Sequence, residues 1–482
     1  MHRIVGIVIL VATLSIFLAS PGAMASGPAA PLEGWLSILW GDGPGAAPPG
    51  ARKLTLTDDS GKSIPLWMGE DLLRFGVLRW NGQRVKVYPA TQGENFTENG
   101  EFRVGLIQLT EKAVRSRSVL GSQPWISILC KFADVSVEPK NLLYFQEMYG
   151  NTPGALDHYW REVSSGAVNL LGSVAVGWVI LPGNQTDYAP TPGAGTSANL
   201  NAVFDDCTAL VDDIIDFSGG GLPFAGINLM LNGDLDCCAW GGTRFATLDG
   251  VAKAWRTTWN PPWAFGNEAI IAHEMGHGFG LPHANNFDGD GNPYDSPWDV
   301  MSAATGYAVN DPTYGALGKH VNAYHKDKLG WFPVARRFEA PPYSSTTIEL
   351  DDTALAAPTH YQVAVIPTDS GVWYTVEARL RSGGYDAALP ADAVIIHEVD
   401  LGRSEPSWAV DADEPPADYG DNPGTMWLPG EIFTDAANDV TVSVDDATPT
   451  GFVVTIERGI AHLVFSNGFE SGDTADWSNE VP

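Results

Sequence analysis

Basic residues are scarce in this chain: 27 Lys and Arg stand against 58 Asp and Glu in 482 residues, a formal net charge of −31. Affinity for DNA, RNA or an anionic membrane surface rests largely on Lys and Arg neutralising phosphates, so those partners are excluded. Cysteine is also sparse. Cys130, Cys207, Cys237 and Cys238 include no Cys-x-x-Cys pair, which speaks against a redox motif or a thiolate zinc site. After residue 25 no apolar run is long enough to span a bilayer, because the stretch from Leu170 to Leu181 is short and broken by Gly172 and Gly177. What the chain does have is 44% apolar residues, 53 Gly and 34 Pro, enough for a packed core with many turns. Its length exceeds one ordinary domain, and two or three are expected.

Residues 1–25 carry His2-Arg3, an apolar stretch from Ile4 to Ala19, and Ala23-Met24-Ala25 before Ser26. That order is the charged, apolar and small-residue pattern of a secretory signal peptide, with cleavage expected after Ala25 and a secreted, extracellular product. Residues 26–119 alternate short apolar runs with turn signals, as in Leu54-Thr-Leu56, Asp58-Asp-Ser-Gly61 and Arg84-Val-Lys-Val-Tyr88 after Asn81-Gly82. They read as an N-terminal β domain, a candidate propeptide. Residues 120–335 mix strands (Trp125–Leu129, Leu170–Leu181) with helical faces: Leu156, Tyr159, Trp160 and Val163, then Val203, Cys207, Leu210, Val211 and Ile214. A helix from Leu317 to Lys328, stopped by Gly330, is expected to close this α/β or α+β domain. Strand signals return over 336–460, at Thr347–Leu350, Tyr361–Ile366, Trp373–Val376, Val394–Ile396 and Phe452–Ile456, and predict a C-terminal β sandwich. A Pro/Asp-rich loop (Asp411–Pro423) interrupts it, and residues 461–482 form a tail. Export permits disulfides. Adjacent Cys237 and Cys238 are not expected to bond each other, so the expected link joins Cys207 to one of them.

The chemistry concentrates in Ile270-Ile-Ala-His273-Glu274-Met-Gly-His277-Gly-Phe-Gly280-Leu-Pro-His283. His-Glu-x-x-His arises by chance in on the order of one in a hundred chains this long, and with the Gly and third His in roughly a few per hundred thousand. Asn267 is a suitable N-cap, and Glu268-Ala-Ile-Ile-Ala opens a helix that puts His273 and His277 one turn apart on one face. A continuous helix would carry His283 about 15 Å along the axis from His273, too far to share an ion with bonds of about 2 Å. The chain must therefore turn back, and Gly280 and Pro282 are the residues that stop a helix there. Three neutral imidazoles leave zinc one open position for water, whose pKa falls to about 7 when bound. Glu274 adjoins the first ligand and is the candidate general acid/base.

This segment resembles the zinc signature of the metzincin metallopeptidases, in which three His bind zinc and a Glu is the catalytic base. The family also has a Met in a tight turn beneath the metal, and Met301 in Trp298-Asp-Val-Met-Ser302 matches it. Further similarity to secreted peptidases of the gametolysin and immune inhibitor A type lies in Asp157–Gly166 with Gly177-Trp178, in Asn322–Trp331, and in Val376–Arg379 through Gly384-Tyr-Asp386 to Asp400. The resemblance implies a multidomain α+β protein, a zincin catalytic domain flanked by the two β regions. It further implies a secreted zinc endopeptidase holding one catalytic Zn2+ through His273, His277 and His283. Its substrates would be polypeptides bound extended against an edge strand, for which Ile227–Leu231 is the candidate; the chain is expected to be a monomer. The rival from another class is a secreted adhesin with a vestigial zinc site, against which the retained Glu274 speaks.

Asp288, Asp290, Asn292, Asp295 and Asp299 have the oxygen-ligand spacing of a Ca2+ loop. Pro293 stands where an EF-hand needs Gly, so the alternatives are a calcium site of another geometry or a plain Asp/Asn turn. His158, His320, His325 and His397 are assigned to the core, and Tyr307 and Tyr324 lack the spacing of an oxyanion donor.

Overall fold

The structure is a computed structural model that describes residues 30–459, apart from 45–50, 75, 91–94, 111–117, 222, 288–291 and 414–421. The signal segment, the C-terminal tail, Asp288 and Asp290 lie outside the described residues.

Strands β1 (Leu32–Asp42), β2 (Ala51–Thr57), β3 (Ser63–Trp67), β4 (Arg84–Pro89) and β5 (Phe102–Leu109) form the N-terminal region. Their order β2-β3-β5-β4-β1, with β1 also paired to β2, closes them into a small barrel. Closure removes the free edges that an isolated small sheet would expose. Leu36, Ile38, Val85, Val87 and Phe102 fill its core.

The second region is built on β6 (Trp125–Lys131), α1 (Leu156–Val163), β7 (Val174–Ile180) and α2 (Leu200–Val211). It continues with β8 (Gly226–Leu231), β9 (Ala239–Leu248), β10 (Val251–Asn260) and α3 (Glu268–Gly278). Its sheet runs β9-β10-β8-β6-β7, parallel except for β9, which is antiparallel to β10. Side-chain alternation along β6 shows why both faces are covered: Trp125 and Leu129 pack on the α1/α3 side, while Ile126, Ile128 and Cys130 pack on the α2 side. The barrel attaches at β9, so the two regions share one ten-stranded sheet in which Leu39–Asp42 of β1 pair antiparallel with Gly242–Ala239.

Three readings change here. The helix expected over Leu317–Lys328 is shorter: Gly315–Leu317 is strand, and α4 runs Ala323–Leu329, with Asn322 capping it and Gly330 ending it in the left-handed conformation. On α2 the buried stripe includes Val203, Phe204, Cys207 and Val211; Leu210 faces outward at 42% exposure, and Ile214, beyond the helix end, is 67% exposed. The disulfides are Cys130–Cys207 and Cys237–Cys238, not Cys207 with 237 or 238. The reason is packing: α2 crosses β6 with the two Cα atoms 6.1 Å apart, a separation that suits a disulfide, and this leaves the adjacent pair to each other.

After α3 come β11 (Ala284–Asn286), α4, β12 (Arg337–Glu339), β13 (Ser344–Asp351), β14 (Val363–Pro367) and β15 (Trp373–Arg379). The chain ends through β16 (Ala393–Val399), β17 (Ser407–Ala409), β18 (Ile432–Asp435), β19 (Val440–Thr448) and β20 (Gly451–Arg458). A six-stranded sheet β11-β17-β16-β15-β14-β12 and a four-stranded sheet β13-β20-β19-β18 bury Leu350, Ile366, Val376, Ile396, Val442 and Val454 in one core. The strand that follows His283 thus belongs to the C-terminal sheet. No described helix is long and apolar enough to cross a membrane.

Candidate metal centre

Helix α3 begins at Glu268, but Asn267 does not cap it with its side chain. The Asn267 amide instead accepts from Ala316 N (3.1 Å) and donates to Trp263 O (3.3 Å), while Glu268 Oε2 accepts from Gly318 N (2.8 Å). These bonds fix the helix start to the segment around 316–318. The helix ends at Gly278, and Gly280, at φ 92°, turns the chain back so that Leu281 N meets Gly276 O (3.0 Å). Only a residue free of the Cβ penalty adopts that φ readily.

The return delivers His283 to the other two histidines. Nε2 of His277 lies 3.2 Å from Nε2 of His273 and 3.2 Å from Nε2 of His283. A tetrahedral zinc with Zn–N bonds near 2.0–2.1 Å sets neighbouring ligand nitrogens about 3.3 Å apart. Nδ1 of His273 donates to Val300 O (2.7 Å) and Nδ1 of His277 to Leu281 O (2.8 Å), which leaves both Nε2 lone pairs facing the centre. These two lone pairs and Nε2 of His283 converge in a buried space, where a cation would satisfy all three nitrogens. The residues present therefore fit a zinc ion.

Met301 is fully buried, its amide donating to Asp299 Oδ1 (2.7 Å), and its sulfur presses on the helix at Gly276, where a Cβ would collide with it. The turn thus touches both the helix and, through Val300 O, His273. Asp299 braces this turn: its other oxygen accepts from Asn322 N (3.0 Å) and His325 Nδ1 (2.7 Å). Asn292 borders the cleft described below, and Asp295 is buried.

Strand β9 passes so close to α3 that a Cβ on Gly241 would lie 2.5 Å from Glu274 O and 2.7 Å from Glu274 Oε2. Glu274 is fully buried, and neither of its carboxylate oxygens has a hydrogen-bond partner. Burial, reinforced by the carboxylate of Asp42, raises its pKa well above the ordinary value. Burial also pushes His277 down to about 3, keeping it neutral, as a metal ligand must be.

Asp42 is the residue that sequence reasoning missed. It ends β1, and its Oδ1 lies 2.9 Å from His283 Nε2 while Oδ2 lies 3.3 Å from His273 Nε2 and 3.4 Å from His277 Nε2. Tyr294 donates its hydroxyl to Oδ1 (2.7 Å), and the indole of Trp40 stacks on His277 at 4.8 Å between centroids. Burial works against a charge on Asp42, but the surrounding His283 and His273 outweigh it and hold the carboxyl well below the usual range. No local pattern marks Asp42, which is 241 residues from His283.

A cleft of about 620 Å³ opens beside Asp42, His273 and Glu274, walled by Trp263, Ile270, Ala303 and Ala304. The Tyr307 hydroxyl oxygen accepts from Asn422 Nδ2 (3.0 Å). Strand β8, the candidate substrate edge, is unsuited, since β10 and β6 occupy both of its sides. The strand beside the metal centre with a side turned away from its own sheet is β9, and β1 lies against that side. Among the described residues two other groups bring potential ligands together. Asp236 sits with Cys237 and Cys238, whose sulfurs are bonded to each other, and Glu349 and His360 sit with Asp351, which accepts from Thr359 N, His360 N and Thr450 Oγ1.

No family model and no curated protein matches the chain. Among solved structures it is similar to a catalytically inactive OgpA from Akkermansia muciniphila in complex with an O-glycopeptide (glycodrosocin) substrate. That match has 13% identity and a TM-score of 0.23, and covers 56% of this chain and 75% of that one.

Proposed function

We propose that this chain is a secreted zinc-dependent endopeptidase of the metzincin type. One observation carries the reading: three inward-facing imidazole nitrogens at 3.2 Å spacings stand beside a buried carboxylate with no hydrogen-bond partner, on the wall of a cleft. His273, His277 and His283 would hold zinc, which supplies Lewis-acid polarisation of a scissile carbonyl and lowers the pKa of water. Glu274, whose carboxyl burial pushes well above its ordinary pKa, would accept the proton of the attacking water on its carboxylate and hand it to the leaving amine nitrogen. The Nδ1 bonds to Val300 and Leu281 hold the rings in one tautomer and orientation through the cycle. The apolar cleft walls exclude water and accept a side chain of an extended polypeptide. A purely adhesive role has no use for a buried base facing three imidazoles.

The test is casein hydrolysis by the chain carrying Asp42→Ala, with and without Glu274→Ala, at equal zinc content. Expected is cleavage by the first and loss of nearly all of it in the second, with one zinc per chain in both. Zinc bound at full occupancy with neither protein cleaving any polypeptide would overturn the reading.

A further inference from the structure

We propose that Asp42 is the fourth protein ligand of the metal in the full-length chain, and that β1 lies along β9 in the track of an extended polypeptide, so the N-terminal barrel keeps the centre closed. This rests on the zinc peptidase reading and assigns its regulation. Two independent observations meet at this residue.

The first is coordination geometry. The Oδ2 distances of 3.3 and 3.4 Å to His273 and His277 match the His–His spacings of 3.2 Å and suit neighbouring ligands of a tetrahedral ion, and ligand atoms of Asp42 and the three histidines all lie within 4.8 Å of one another. Catalytic zinc sites present three protein ligands and keep the fourth position for water or substrate. Here a side chain takes that position. Oδ2 has no hydrogen-bond donor, while Oδ1 is held by Tyr294, so one oxygen is anchored and the other is left for a cation.

The second is strand pairing. Leu39–Asp42 run antiparallel to β9 in register with Gly242–Ala239. Adding a strand to a sheet edge is how extended peptides bind at any sequence, through main-chain hydrogen bonds. Gly242 lets β1 approach closely, since a Cβ there would run into Ile38 O. Alternate residues of β1 serve two cores: Ile38 and Trp40 belong to the barrel, and Leu39 to the catalytic region. The barrel is fastened further by Lys53 Nζ to Ala198 O (2.5 Å) and by Thr243 Oγ1 to Asn81 Oδ1 (2.5 Å). The oxygens offered to the metal belong to a side chain, so no peptide bond stands there to be cut. Substrate and β1 compete for one edge, and access requires that β1 leave.

The experiment uses the full chain loaded with Co2+ and followed by its visible spectrum from pH 6 to 9, beside Asp42→Ala and, as a fold-preserving control, Asp42→Asn. The wild-type spectrum is expected to be independent of pH. Asp42→Ala should acquire a titration, because water replaces the carboxylate, and Asp42→Asn should fall between them. Loss of zinc to a chelator should be at least about tenfold faster in Asp42→Ala. Casein cleavage should be at least about tenfold faster than in the wild type, whose closed centre turns over slowly. A wild-type spectrum that already titrates like that of Asp42→Ala overturns the ligand assignment. Changed spectra with equal cleavage by wild type and variant overturn the closure. Changed spectra with no cleavage by either leave Asp42 as the ligand and count against the peptidase reading alone.

Discussion

Two buried groups of ionisable side chains share the segment 298–301 and are built in opposite ways. Around Asp386 every charge has a partner: the carboxylate accepts from His320 N (3.0 Å) and from Arg379 Nε (3.1 Å) and Nη2 (2.8 Å), and Arg379 Nη1 donates to Trp298 O (2.6 Å). Around His273 the pairing stops short. Both oxygens of Glu274, Oδ2 of Asp42 and Nδ1 of His283 lack hydrogen bonds, and a cleft opens beside them. Paired charges at Asp386 and Arg379 fix the turn that carries Met301, whereas buried carboxylate oxygens left unpaired beside a cleft are costly unless something else completes them. The same residue types thus support structure in one place and signal chemistry in the other.

The sharpest way to break this contrast is Glu274→Gln. It removes the proposed base with almost no change of volume, and peptide hydrolysis should fall by about 10²–10⁴-fold while zinc content, read by atomic emission, is unchanged. Next is Arg379→Ala, which strands Asp386 in the interior and should cost about 3–5 kcal/mol in urea unfolding. An effect under about 1 kcal/mol would mean the Arg379–Asp386 pair is not structural. The pH dependence of that network has a definite sign. The Arg379 guanidinium, with His320, outweighs burial and lowers Asp386 to about 2, so its contribution is present above the unfolded value near 3.9 and is lost as pH falls toward 2. Unfolding of the wild type should weaken by about 2 kcal/mol over that window, and Asp386→Asn should flatten the slope. Smallest is Gly241→Ala, whose Cβ meets the Glu274 backbone. A loss of about 1–3 kcal/mol is expected by thermal unfolding, with faster zinc loss to chelator. Unchanged zinc retention would show that the close approach of β9 to α3 does not tune the centre.

What was legible in the sequence is what is local. His273, Glu274 and His277 sit on one helical turn, and Gly280 and Pro282 mark the reversal, so the triad follows from spacing alone. Met301 was legible only through the family resemblance. Asp42 was not, because its role depends on a barrel docking onto a strand about 200 residues away in sequence. Ile227–Leu231, expected as a substrate edge, is interior for a similar reason: only the sheet order says that it has a neighbour on each side and that Ala239–Leu248 lies between it and the barrel. The disulfides depended on α2 crossing β6, a packing relation that cysteine spacing does not encode. Asn267 has the composition of a cap, but tertiary partners took its side chain.

The strand that follows His283, β11, pairs with β17 of the C-terminal sheet at Ala284–Ser407 through Asn286–Ala409. With a metal bound as proposed, the three imidazoles and Asp42 would tie the barrel, helix α3 and the C-terminal sheet to a single ion. Binding that is confined to the native state adds its free energy to all three regions at once, about 4 kcal/mol at a thousandfold excess over Kd. Occupancy thereby becomes a measure of cooperativity: the zinc-loaded chain should melt in one transition, and withdrawing the ion should let the barrel melt separately, ahead of the rest.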